Sequence, residues 1–203
     1  MTSPTHTLPV VLTPGFKDSA VVLTTLATYL RERGVCAYPL SPQPSDGTVA
    51  IDALAVQLAH MIDDALGPAQ PFAFFGFSMG GLIGRYYLQH LDGEDRIARL
   101  ITLATPHRGT LTSWLLPRRP ALMQMWPGSD FLTDLNADLT PLRRVAFAAY
   151  WTPFDLSVTP ANRAYLPDFP AHRLLSPFHA TLLYDPWVVR EVGKALFASS
   201  GID

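Results

Sequence analysis

Phe72-Ala73-Phe74-Phe75-Gly76-Phe77-Ser78-Met79-Gly80-Gly81 is the stretch on which the fold turns. Its first four residues are apolar on both faces, the pattern of a strand covered by helices on each side of a parallel sheet. Gly76 to Gly80 then fits the spacing G-x-S-x-G. The residues beyond, with Ile83, Tyr87 and Leu91 in a row, predict a helix over 79–91. A serine in this setting stands on a tight strand-to-helix turn at the carboxyl end of a sheet. It is also beside a helix N-terminus, where partial positive charge favours a developing anion. Gly76 and Gly80 suit the turn because a Cβ at either flank would crowd it. The bare pattern is weak, and a glycine-rich turn without chemistry is its plainer reading. The strand before it and the helix after it make Ser78 a candidate nucleophile.

Strand and helix patterns alternate on both sides of this stretch. Leu8 to Thr13 reads as a strand ending in the turn Pro14-Gly15. A helix is expected from Asp18, which can cap it, to about Arg33, with Val22, Leu26 and Leu30 on one face and Gly34 at its end. Val35 to Leu40 is a second strand, with Cys36 read as a buried structural thiol. Leu54, Leu58, Met61 and Ala65 mark a helix closed near Gly67-Pro68. Strands are expected at Leu100–Ala104, Val145–Trp151 and His172–Leu175. Asp185-Pro186 opens a last helix, with Asp as cap and Pro at the first helical position. The alternation predicts an α/β domain with a mostly parallel six-stranded sheet, helices on both faces, and one domain spanning 1–203.

Residues 107–142 break the alternation. Trp114, Leu115, Leu116, Leu122, Met123, Met125 and Trp126 are crowded between Pro117, Pro120 and Pro127. One reading is a satellite core under a long loop. The other is a cap whose Trp114, Leu115, Met123 and Met125 contribute an apolar substrate pocket.

Bulk properties exclude several classes. The 203 residues are 48% hydrophobic and 16% charged, with a formal net charge of −2. No basic stripe could neutralise phosphates, so nucleic acid is not an expected partner. Arg118 and Arg119 are the one basic pair near an apolar segment, and a solvated loop is their ordinary reading. The single cysteine rules out an internal disulfide and a Cys-cluster metal site. No cofactor or metal is called for. Met1 to Pro9 lacks a charged-then-apolar leader and no run is long enough to span a membrane. A cytosolic location is therefore the expectation, with a processed secreted form the alternative.

A serine hydroxyl needs a base to take its proton. His179 lies in Ser176-Pro177-Phe178-His179-Ala180, after the sixth expected strand, and loops there open on the face to which Ser78 points. His172 begins a strand and reads as structural. His107 follows the fourth strand, and its expected part is to hold the 107–142 insertion by hydrogen bonds. Asp155, after the fifth strand, is placed to accept from His179 and fix its tautomer. Asp168, Asp130 and Asp134 are the rival acids. Asp168 falls at the wrong end of its strand, and the other two can serve a helix terminus instead. An oxyanion would need two backbone N–H groups, assigned to Met79 and to Phe16 in Thr13-Pro14-Gly15-Phe16-Lys17.

Together these residues resemble the α/β-hydrolase superfamily, in its small bacterial lipase and esterase branch. Leu12-Thr13-Pro14-Gly15-Phe16 is similar to the oxyanion segment of lipases, with Pro14 where His is usual. Gly76 to Gly81 is similar to their nucleophile turn. Leu103-Ala104-Thr105-Pro106-His107-Arg108-Gly109-Thr110 resembles the segment after the next strand, and Pro127 to Leu135 a helix start on the cap side. The chain lacks the leading antiparallel strands common in the superfamily. The resemblance implies a carboxylic ester hydrolase acting on a small acyl ester or lipid, with Ser78, Asp155 and His179 as triad and Phe16 and Met79 as oxyanion hole. An acyltransferase or thioesterase with the same triad, or a non-catalytic binding protein of this fold, is the alternative.

Overall fold

A computed structural model of the chain describes residues 7–91, 93–116 and 118–197. Most of the leader segment and Pro117, read above as a breaker, lie outside the described residues. Strand β1 (Val10–Thr13) is followed by a 3-10 turn and helix α1 (Thr24–Arg31), then by β2 (Ala37–Pro39) and α2 (Ile51–Leu66). Next come β3 (Phe72–Phe77), α3 (Met79–His90), β4 (Ile97–Leu103), the short helices α4 (Pro120–Gln124), α5 (Asp130–Ala137) and α6 (Thr140–Arg144), β5 (Ala146–Trp151), β6 (Ala171–Arg173) and α7 (Pro186–Phe197). The six strands form one sheet in the order β2-β1-β3-β4-β5-β6. Every pairing is parallel.

The apolar run in β3 explains its central position. Phe72 and Phe74 pack with residues of α2 and α3 on one face. Ala73, Phe75 and Phe77 pack with residues of α1 and α7 on the other. Period-two alternation in an all-apolar strand thus serves two cores. Phe72, Phe74 and Phe75 are fully buried, and each such burial contributes roughly 1.5–3 kcal/mol relative to exposure. Neighbours β1 and β3 send their chains to opposite sides of the sheet, so a crevice opens beyond their carboxyl ends, where open α/β sheets place ligand sites.

Residues 107–142 are built of short helices. Ala121, Leu122, Leu132, Leu135 and Leu142 join the same core as α2 and α3. The Gln124 carboxamide accepts from Ile51 N–H, 2.5 Å away, and donates to Asp52 at 2.9 Å. It caps an α2 whose own N-cap, Ala50, has no side-chain acceptor. Arg119 is held rather than solvated: its guanidinium pairs with the Asp46 carboxylate at 3.0 Å. Arg118 is exposed at φ 79°. The Asp185 carboxylate accepts from the Trp187 and Val188 amides, as the Asp-Pro opening of α7 anticipates.

Some expectations are corrected. Cys36 is exposed, because it precedes an edge strand of three residues and points away from the buried Val35 and Ala37. The N-cap after β1 is Ser19, ahead of a 3-10 turn at Ala20–Leu23, and not Asp18. Strand β4 begins at Ile97 rather than Leu100. Its Arg99 looks out of place in a strand but reaches the Ala195 carbonyl at 2.7 Å.

Candidate active site

Ser78 adopts φ 52° and ψ −123°, a conformation that costs an L-residue about 1–3 kcal/mol. Its surroundings hold it there. The Ser78 N–H donates to the Leu103 carbonyl at 2.8 Å, and the Gly81 N–H donates to the Ser78 carbonyl at 3.1 Å. A Cβ on Gly76 would run into the backbone of Gly81, and one on Gly80 into the carbonyls of Thr13 and Pro14. These glycines let β3, α3 and the end of β1 approach closely enough to form the turn. Met79 is the first residue of α3, so its N–H has no intrahelical partner. Among the described residues the Phe16 N–H likewise has no assigned hydrogen-bond partner.

Asp155 and His179 come from the loops after β5 and β6. The His179 Nδ1 lies 2.8 Å from Asp155 Oδ2. The other carboxylate oxygen, Oδ1, accepts from the amides of Ser157 and Val158, both at 2.8 Å. The Asp155 side chain is 1% exposed and that of His179 13%. The two loops are tied together by the Thr152 hydroxyl, which donates to the Ser176 carbonyl at 2.7 Å. The His179 ring also rests on Phe77, with centroids 4.8 Å apart. Phe77 directly precedes Ser78, so one strand end supports both side chains. A carboxylate can only accept, so Nδ1 carries a proton, and in the neutral ring Nε2 keeps its lone pair.

Ser78 and His179 line one cavity of 540 Å³, within the range of roughly 300–1,000 Å³ common for small-molecule sites. Phe16, Phe77, Leu115, Leu116, Leu122, Met125, Leu156, Val158 and Leu183 supply apolar wall. Of the insertion residues singled out above, Leu115 and Met125 reach this wall, while Trp114 and Met123 do not. In the 3-10 helix Leu111–Leu115, residues three apart share a face. Thr112 and Leu115 therefore fall on the cavity side, Leu115 at an open rim where it is still 79% exposed, while Leu111 and Trp114 fall outside the lining, 40% and 54% exposed. Met123 opens instead on a shallow groove with Tyr86, Trp126 and Phe131. Asp18, Thr110, Leu156 and Leu183 also line the cavity, which no sequence pattern anticipates. Their signal was position alone, in loops at the carboxyl edge of the sheet.

The rival residues sit elsewhere. Asp168 is exposed ahead of β6, and Asp130 begins α5 behind its true cap, Ser129, whose hydroxyl accepts from Leu132 N–H at 3.2 Å. Asp134 pairs with His90 at 3.3 Å. His172 stacks on Tyr150, centroids 4.6 Å apart. His107 is fully buried beneath the site, its Nε2 2.9 Å from the Thr102 hydroxyl and its Nδ1 3.3 Å from an Arg85 nitrogen. Its carbonyl accepts from Asn136 at 3.0 Å, which ties α5 to the sheet. Arg85, fully buried, also donates to the Leu135 carbonyl and to Asn136. Burial pulls the Arg85 pKa down to about 9, and burial, with Arg85 and Arg108 nearby, holds His107 well below the usual histidine range. Among the described residues no group of three or more His, Cys, Asp or Glu is placed to hold a metal ion. Nor is any helix among them long and apolar enough to cross a membrane.

A model of the alpha/beta hydrolase fold family matches residues 35–180. The chain belongs to that family. No curated protein matches this hydrolase-fold chain. Among solved structures it is similar to an Aspergillus fumigatus lipase B, with TM-score 0.78 and 18% identity over 95% of this chain and 53% of that one. It is also similar to a Bacillus licheniformis lipase in its propeptide form, with TM-score 0.71 and 16% identity over 98% of this chain and 52% of the other. An extracellular alpha/beta-hydrolase from a Paenibacillus species matches with TM-score 0.66 and 14% identity, over 95% of this chain and all of its own. The hydrolase-fold chain thus spans about half the length of the first two. At these identities the likeness is one of fold.

Proposed function

We propose that this chain is a serine hydrolase that cleaves carboxylic esters with apolar acyl or alcohol groups, through an acyl-enzyme on Ser78. The observation that carries the reading is the shared lining. Ser78, on its strained turn, faces the same apolar cavity as an imidazole whose far nitrogen is held by a buried carboxylate. The lipases of similar fold support it.

In this reading His179 Nε2 takes the Ser78 Oγ proton as Oγ attacks the ester carbonyl carbon. The carbonyl oxygen becomes an oxyanion, received by the Met79 and Phe16 N–H groups, each such donor being worth about 3 kcal/mol in the transition state. Asp155 stabilises the imidazolium that forms. Collapse of the intermediate expels the alcohol oxygen, which takes the proton from Nε2. Water, deprotonated by the same nitrogen, then attacks the acyl-enzyme. The proton returns to Oγ, and the acid leaves.

A panel of p-nitrophenyl esters of increasing acyl length tests this. Wild-type protein hydrolyses them and Ser78→Ala, equally folded, does not. Equal turnover by the variant contradicts the assignment.

A further inference from the structure

Asp18 is a carboxylate in the wall of the cavity that the mechanism above does not use. It lies in the loop after β1, and its main chain is pinned: the Asp18 carbonyl accepts from the Ser45 hydroxyl at 2.8 Å and from Gln43 at 3.3 Å. A methyl group built on Gly15 would sit 3.0 Å from Ser78 Cβ and 3.2 Å from Asp18 Oδ2. The carboxylate and the serine therefore flank the same glycine. No cationic side chain forms an ion pair with Asp18 among the described residues. The ammonium of neighbouring Lys17 lies instead toward the Phe16 ring, 5.4 Å from its centroid. Burial pushes the Asp18 carboxyl up from its ordinary value, while His179 and the Gly15 N–H act against that shift.

A half-buried anion in a mostly apolar wall is costly unless something compensates it. Asp18 caps no helix, and the Gly15 N–H and His179 offset only part of the cost of burying its carboxylate. A compensating charge can come from what enters the cavity. A second anion there meets the carboxylate through a medium of low effective dielectric and is opposed.

We propose that Asp18 sets the charge of the substrates the cavity accepts, favouring esters that carry an ammonium group over neutral esters and rejecting those that carry a carboxylate. The same repulsion helps the acid product leave. This rests on the hydrolase reading, and concerns which esters are taken rather than how they are cleaved.

The test uses the p-nitrophenyl esters of trimethylammoniobutyrate, of its neutral tert-butyl isostere and of adipate with its far carboxylate free. In the wild-type protein kcat/KM follows the order cation, neutral, anion, with a cation-to-anion ratio of at least about tenfold. In Asp18→Asn that ratio falls toward one, and in Asp18→Glu it keeps its sign. The ratio separates charge selection from an effect of Asp18 on His179, which would scale all three esters alike. A wild-type ratio near one overturns the proposal without any variant, as does a ratio that Asp18→Asn leaves unchanged. Failure to hydrolyse even the neutral ester overturns the hydrolase reading and this proposal with it, whereas hydrolysis without discrimination overturns this proposal alone.

Discussion

Asp155 holds His179 with one carboxylate oxygen and two backbone amides with the other: Oδ2 is 2.8 Å from His179 Nδ1, while Oδ1 accepts from Ser157 and Val158. This division of labour fixes what an amide in its place must do. In Asp155→Asn the carboxamide oxygen stays with the two amides, because the NH2 group cannot accept from them. The NH2 group then faces His179 Nδ1 and donates to it. That forces the proton onto Nε2, where it blocks uptake from Ser78. Asp155→Asn is expected to lower kcat/KM by on the order of 10³–10⁴-fold with the fold retained. Asp130→Asn and Asp168→Asn are expected to stay within about twofold of the wild-type protein, since neither side chain lines the cavity. Steady-state kinetics on one neutral ester compares all three. A loss at Asp130 or Asp168 as large as that at Asp155 would move the acid's role.

The turn at Ser78 depends on backbone contact that excludes any side chain at Gly80. Gly80→Ala must displace the carbonyls of Thr13 and Pro14 or the start of α3, and is expected to cost about 3 kcal/mol or more. Gly34→Ala is the control. Gly34 has φ 77° but nothing within 4 Å of a new Cβ, so only the left-handed conformation is penalised, at roughly 1–2 kcal/mol. Urea unfolding of the two variants compares them, and equal losses would mean that close approach is not what Gly80 supplies.

The buried His107 gives the fold a pH dependence of known sign. Arg85 can only donate, so His107 Nδ1 accepts, and Nε2–H donates to Thr102 in the neutral ring. The folded pKa lies well below the ordinary 6.5. As pH falls through 6.5, the unfolded chain gains a proton that the native ring refuses, so its stabilising contribution, complete above that pH, is progressively lost. The slope approaches roughly 1.4 kcal/mol per pH unit between that value and the folded pKa. His107→Gln, which keeps an acceptor for Arg85 and a donor for Thr102 but does not titrate, is expected to show a flatter dependence between pH 7 and pH 5. Denaturant midpoints at those two values read this directly, and parallel slopes would contradict it.

The parts of this architecture that were legible in the sequence are those where local pattern and tertiary demand agree. Phe72 to Phe75 is apolar on both faces because the strand is covered on both, and Gly76 and Gly80 flank Ser78 because three backbones meet there. Asp185-Pro186 predicts the start of α7 because its cap is local. Legibility failed where a long-range partner decides the matter. Arg99 hides the first half of β4 because its partner is a carbonyl on α7. Gln124 caps a helix 73 residues away. Asp18 has the composition of a cap and the position of a cavity wall. In the insertion the density of apolar residues was visible, but which of them reach the cavity depends on a 3-10 turn. That turn places Leu115 at the exposed rim of the cavity and leaves Trp114 outside its lining.

The most direct test of the central claim is covalent labelling with a fluorophosphonate, read by intact mass and peptide mapping. An unactivated serine reacts poorly with such a reagent, whereas one whose proton is drawn off by His179 reacts readily. A single phosphonyl adduct on Ser78 is expected, lost in His179→Ala and strongly slowed in Asp155→Asn. An unlabelled protein, or an adduct on another residue with Ser78 unmodified, would contradict it.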